Sequence, residues 1–239
     1  MSQQLRRSFV LAVFHHCYHV VKVGFYETTY TRKLFKWSKA GVVLLKNRMA
    51  TETMKDCEPP LFTFGIIADI QYADIDDGFN FKQTRKRYYR NSLRLLQKAN
   101  EGWNVEQVKP SFILQLGDII DGFNKKFDAS QCALDRVMRE FNHSPAVHHV
   151  WGNHEFYNFT RGVLFSSVLN TKSNQDRVSD PDEFYAYHFS PTPNFRFVVL
   201  DAYDLSVIGR EQASEKYKQS LKLLKEHNNK EDLNHPPGN

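Results

Sequence analysis

A chain of 239 residues, 41% hydrophobic and 25% charged, has room for one sizeable domain with a substantial buried core. Its net charge of +5 is unevenly placed: residues 1–50 carry nine Lys/Arg against Glu27 alone, while the remainder carries 23 basic and 26 acidic residues, so the basic balance is no argument for nucleic-acid binding. Three cysteines, Cys17, Cys57 and Cys132, are odd in number and lack Cys-x-x-Cys spacing, which argues against a disulfide framework or a zinc knuckle and fits a reducing, cytoplasmic setting.

Residues 1–58 read as a basic extension without regular order, and residues 59–239 as the domain proper. The stretch 9–26 is apolar and β-rich, but His15, His16, His19 and Lys22 make it too polar for a membrane span, which needs about 20 mostly apolar residues. The extension fits translated sequence upstream of a start at Met49 or Met54. The alternative, a mitochondrial transit peptide, is usually richer in Arg and Ser.

The first strand is expected over 62–68 and runs into Asp69-Ile70-Gln71, followed by a loop with Asp74, Asp76, Asp77, Gly78 and Asn80. Helical spacing then covers 82–103, with Tyr89, Leu93, Leu96 and Ala99 on one face. Arg85, Lys86, Arg87 and Arg90 fall in its first turns, where they oppose the helix dipole. They read either as a solvated basic face or as holders of a diphosphate, for which a forked guanidinium is suited.

The second strand, 112–116, breaks at Gly117 and delivers Asp118 and Asp121. Asp128-Ala129-Ser130 is expected to cap a helix ending at Phe141, with Cys132, Leu134, Val137, Met138 and Phe141 on its buried side. The third strand, 147–150, ends in Gly152-Asn153-His154-Glu155, and His148 and His149 inside it read as structural. This β-loop-α-β-α-β order is the signature of parallel strands with right-handed crossovers. A loop and short helix over 156–170, an exposed loop over 174–182, a hairpin of 184–189 with 195–200, and a helix over 214–227 complete the expected elements. Asp201 and Asp204 read as turn residues.

Three successive strands therefore end in Asp-x-Gln, Gly-Asp-x-x-Asp and Gly-Asn-His-Glu, at the sheet edge where ligands bind in open α/β folds. On these motifs the chain, over residues 59–239, resembles the calcineurin-like metallophosphoesterases, whose pattern is Asp-x-His, Gly-Asp-x-x-Asp, Gly-Asn-His-Asp/Glu. Here Gln71 replaces the histidine. With the stretches 69–74, 77–81, 151–159 and 200–204, this substitution points to the branch acting on ADP-ribose and CDP-alcohols. A phosphoprotein phosphatase of the same fold is disfavoured by Gln71.

The resemblance implies an α/β, metallophosphoesterase-type αββα sandwich, represented here by its N-terminal βαβαβ part and a hairpin. It implies a hydrolase that splits a phosphoanhydride by attack of a metal-bound hydroxide. Asp118 would bridge two divalent ions, with Asp69 and Gln71 on one and Asn153 on the other. Oxygen from Gln71 in place of imidazole suits manganese, or magnesium, better than zinc. His154 would donate to the scissile phosphate, Asp121 would hold that imidazole protonated, Arg87 would grip the diphosphate and Phe81 would stack on the nucleobase. The expected partner is a small nucleoside diphosphate derivative, with no nucleic acid, no membrane and a monomeric chain.

Two later histidine motifs of the family pattern, Ser/Gly-His and Gly-His-x-His, are missing, since only His188, His227 and His235 follow His154. The chain accordingly reads as truncated at its C-terminus, with about half the metal shell absent. A non-catalytic product is the alternative expectation.

Overall fold

The computed structural model describes residues 60–80, 83–142, 144–171, 184–193 and 195–227. The extension 1–58, the expected stacking residue Phe81 and the loop 174–182 lie outside the described residues. The elements run β1 (Phe64–Ile67), β2 (Gly78–Phe79), β3 (Lys86–Arg87), α1 (Asn91–Val105), β4 (Phe112–Gln115), a 3-10 turn (Gly122–Phe127), α2 (Ser130–Glu140), β5 (Ala146–His149), α3 (Asn153–Asn158), α4 (Arg161–Ser166), β6 (Ala186–Thr192), β7 (Phe195–Leu200) and α5 (Glu215–His227).

β1, β4 and β5 form a parallel sheet in that order, with Ile66 beside Leu114 and Leu114 beside His148. β4 is central and all four of its residues are buried, which is why it reads as an unbroken apolar run rather than an alternating one. One face carries Gly65, Ile67 and Ile113. There the indole of Trp103 lies so close over Gly65 that a Cβ would stand 2.8 Å from it. Leu93, Leu96, Ala99 and Trp103 form the buried stripe of α1, and Ala133, Leu134 and Val137 that of α2. The opposite face carries Phe64 and Phe112, stacked at 5.2 Å, with Phe197 and Phe189 of the β6–β7 hairpin edge-on to Phe112 at 5.1 Å. The sheet is thus covered by helices on one side and begins to be covered by strands on the other. Among the described residues no helix is long and apolar enough to cross a membrane.

Two expected helix starts are corrected. The helix expected from residue 82 begins only at Asn91, because β2 and β3 pair antiparallel and Asn80 Oδ1 accepts from the Thr84 and Arg85 N–H groups at 2.8 and 2.9 Å. A short amide side chain that captures backbone donors competes with helix formation. Arg85, Lys86 and Arg87 therefore precede the helix. The cap expected from Asp128 also fails: Asp128 closes the 3-10 turn at φ +51, and Ala129 precedes α2 without a side-chain bond. Cys132, expected on the buried side of α2, is exposed, and its place is taken by Ala133.

His148 and His149 are structural, as expected. His148 stacks on Phe189 and its Nδ1 lies 3.1 Å from the Tyr187 hydroxyl, while His149 Nδ1 lies 3.3 Å from Gln115 Oε1. Burial, with His148 adding to it, pushes His149 down to about 3. An unfolded histidine takes its proton near pH 6.5, so between there and about pH 3 the unfolded chain binds more protons and stability falls as pH falls. Lowering the pH from 7 to 4 is expected to cost on the order of 3 kcal/mol through His149 alone. Urea midpoints of His149→Asn should show a shallower loss over that window than the parent protein.

Candidate functional site

The loops leaving β1 and β4 are zipped together past the sheet edge. Asp69 N–H donates to Gly117 O (3.2 Å), Gln71 N–H to Asp118 O (2.9 Å), Tyr72 N–H to Ile119 O (3.2 Å) and Asp121 N–H to Tyr72 O (2.9 Å). To make these bonds the chain turns left-handed at Asp69 (φ +54), Gln71 (φ +45), Gly117 (φ +92) and Asp118 (φ +56). Left-handed non-glycine residues cost energy and gather where the fold imposes them, commonly at functional sites. All three non-glycine residues among these four, Asp69, Gln71 and Asp118, were expected metal ligands.

The side chains of the three strand ends meet. Asp118 is 2% exposed; its Oδ1 accepts from the His154 N–H at 2.9 Å and its Oδ2 from Gln71 Nε2 at 3.4 Å. Gln71 Nε2 also lies 3.3 Å from His154 Nε2, and Gln71 Oε1 accepts from Arg87 Nη1. Asn153 opens α3, and its Oδ1 accepts from the Tyr203 hydroxyl at 3.4 Å. Asp69, Gln71, Asp118, Asn153 and His154 therefore stand at one edge of the parallel sheet, as the motif spacing implied.

The link between Asp121 and His154 differs from expectation. The Gly122 N–H donates to His154 Nδ1 at 2.8 Å, while Asp121 Oδ2 stands 3.9 Å away and Asp121 Oδ1 accepts from Phe123 N–H at 2.9 Å. A backbone N–H is an obligate donor, so Nδ1 accepts from it, and the Gln71 amide stands at the other ring nitrogen. Asp121 shapes the loop that presents Gly122 rather than hydrogen-bonding the ring.

Of the four basic residues expected near a diphosphate, Arg87 reaches the site. Arg90 pairs with Asp74 at 2.5 Å and Asp76 at 2.8 Å, and Lys86 lies 3.6 Å from Asp77, all at the surface. Two residues given no role from the sequence prove central. Glu155 is fully buried, and its carboxylate accepts from the N–H groups of Asp118, Ile119 and Gly152. Burial, with Asp118 adding to it, pushes Glu155 up to about 7, while the three N–H groups act the other way. Tyr203 is the other. Its sequence signal was its place in the stretch 200–204, two residues after Asp201.

Among the described residues, no three His, Cys, Asp or Glu side chains gather into a cation site. The donors expected from the sequence are instead two carboxylates, Asp69 and Asp118, with the amides Gln71 and Asn153. Such hard oxygen donors fit manganese or magnesium better than a closed zinc site.

Residues 62–237 match the family model described as calcineurin-like phosphoesterase. A manganese-dependent ADP-ribose/CDP-alcohol diphosphatase from Danio rerio is 59% identical over 186 residues, covering 75% of this chain and 57% of that protein. Proteins of the same description from Xenopus tropicalis and Arabidopsis thaliana are 56% and 42% identical, over 77% and 75% of this chain and 57% and 54% of their own lengths. The chain thus spans somewhat more than half the length of the curated relatives it matches. A crystal structure of a dimetal phosphatase from Danio rerio superposes with a TM-score of 0.64 at 59% identity, covering 71% of this chain and 53% of that one.

Proposed function

The chain belongs to the calcineurin-like phosphoesterase family, and we propose that it serves the hydrolysis of phosphoanhydride bonds in nucleoside diphosphate derivatives such as ADP-ribose and CDP-alcohols. The observation that carries this reading is the meeting of the Asp118 carboxylate, the Gln71 amide and the His154 ring at one sheet edge, with Asn153 beside His154 at the start of α3. Asp69, Gln71, Asp118 and Asn153 would hold two divalent ions, manganese by preference, which supply positive charge and an activated water for in-line displacement. The remaining groups act from the protein.

His154 donates from Nε2 to a phosphoryl oxygen as negative charge develops there, while the Gly122 N–H holds the ring at Nδ1. Arg87, already at Gln71, offers the rest of its fork to the diphosphate. Phe81 would stack on the base. Water adds across the anhydride, so ADP-ribose gives AMP and ribose 5-phosphate. The unit responsible begins near residue 59 and acts as a monomer on a small molecule, without nucleic acid or membrane.

The test is incubation of the protein with manganese and ADP-ribose or CDP-choline, followed by chromatography. AMP or CMP appearing only when manganese is present supports the reading. Bound manganese with neither substrate cleaved would overturn it.

A further inference from the structure

Glu155 stands second after Asn153, on the first turn of α3; it is the acidic member of Gly-Asn-His-Glu and is not among the ligands expected from that motif. In an ordinary capping box a glutamate at that place accepts only the N–H of the residue before the helix. Glu155 makes that bond, to Gly152 N–H at 2.6 Å, but the same carboxylate also reaches across to the loop after β4. There Oε2 accepts from Asp118 N–H and Oε1 from Ile119 N–H, both at 2.8 Å. Its side chain is fully buried. Burying a carboxylate is expensive unless strong donors surround it, and three charge-assisted bonds are the compensation here.

The two loops that Glu155 joins have no space for side chains between them. A Cβ on Gly117 would stand 2.6 Å from Gly152 N, and one on Gly152 would overlap the Asp118 carboxylate. Asp118 is itself held left-handed, a conformation its backbone leaves readily when the surroundings cease to impose it. One carboxylate therefore clamps the backbone of Asp118 to the start of the helix that carries Asn153, and His154 N–H returns a bond to Asp118 Oδ1 at 2.9 Å.

We infer that Glu155 is a positioning residue that sets the Asp118 carboxylate against the Asn153 amide, so that its loss weakens metal binding beyond any loss of stability. This rests on the proposed reading of Asp118 and Asn153 as ligands. In Glu155→Gln one oxygen becomes an NH2 group facing a backbone N–H, so the clamp opens while volume is kept. Manganese binding, read without substrate from the EPR signal of free Mn2+, is expected to weaken about tenfold or more. Val137→Ala, a core truncation in α2 remote from the three loops, should lower the melting temperature while leaving manganese affinity unchanged. Should Glu155→Gln not fold, Glu155→Ala, read well below its melting temperature, removes the clamp outright, and the same loss of affinity is expected.

A folded Glu155 variant that binds manganese as tightly as the parent overturns the inference. Asp118→Ala in the same assay separates the two readings. If it loses manganese while the Glu155 variant does not, only the inference fails; if it binds manganese normally, the ligand reading fails and the inference with it.

Discussion

Asp118→Ala is expected to lower manganese affinity by roughly a hundredfold or more and to abolish cleavage of ADP-ribose, since a lost ligand should exceed the tenfold to hundredfold losses typical of outer-shell changes. The residue is buried at the end of the central strand, between loops from β1 and β5, and is the carboxylate that both other strand ends touch. Alanine also strands the His154 N–H, which adds about 1–3 kcal/mol of destabilisation. Asp118→Asn separates the two effects. It keeps an acceptor for His154 N–H but removes the charge, so it should restore most of the stability and little of the manganese affinity. Isothermal titration with manganese, beside thermal melts of all three proteins, reads both. Wild-type affinity in Asp118→Asn would mean that the buried charge is not what holds the ion.

Asp201→Ala should destabilise the fold by about 3–5 kcal/mol, lowering the melting temperature by roughly 10 °C or more. Arg161 is 3% exposed; its Nη1 donates to Asp201 Oδ2 at 2.7 Å, its Nη2 to Tyr203 O, and its guanidinium lies over the Phe156 ring at 4.7 Å. Arg161 Nε is buried and finds no hydrogen-bond partner among the described residues, so Asp201 is the chief compensation for this cation. Removing the anion leaves a charge in a dry interior, which costs far more than a surface pair is worth. Removing both charges, in Asp201→Ala with Arg161→Met, is expected to recover much of the loss. Because the pair also holds the turn that carries Tyr203 against Asn153, the single variant should lose manganese affinity before it unfolds. A single variant that melts within about 3 °C of the parent would refute the argument, since that shift corresponds to only about 1 kcal/mol.

Asp201 shows what local reading supplies and what it misses. Its turn role was legible: Oδ1 accepts from the Tyr203 N–H at 2.8 Å, a contact two residues away that the residue type announces. Its ion pair was not, because Arg161 lies 40 residues earlier, as the first residue of a Thr-capped helix.

The three strands, their parallel order, the hairpin and the last helix were determined by the sequence itself. Burial imposes a period on each segment, and the period survives in the order of residues: the run of β4, the stripe of Leu93, Leu96 and Ala99, the alternation in β7. The motif residues at the strand ends were legible for the same reason, since a strand's end fixes where the next side chains emerge. Tertiary structure alone decided how those side chains are held. The seating of the His154 ring depends on Gly122, 32 residues away, the clamp at Glu155 depends on amides 36 and 37 residues away, and the late start of α1 depends on β2 finding β3. A polar group's partners are chosen by geometry after the chain has folded, and a carboxylate carries the same letters in sequence whether it faces water, a guanidinium or three backbone amides.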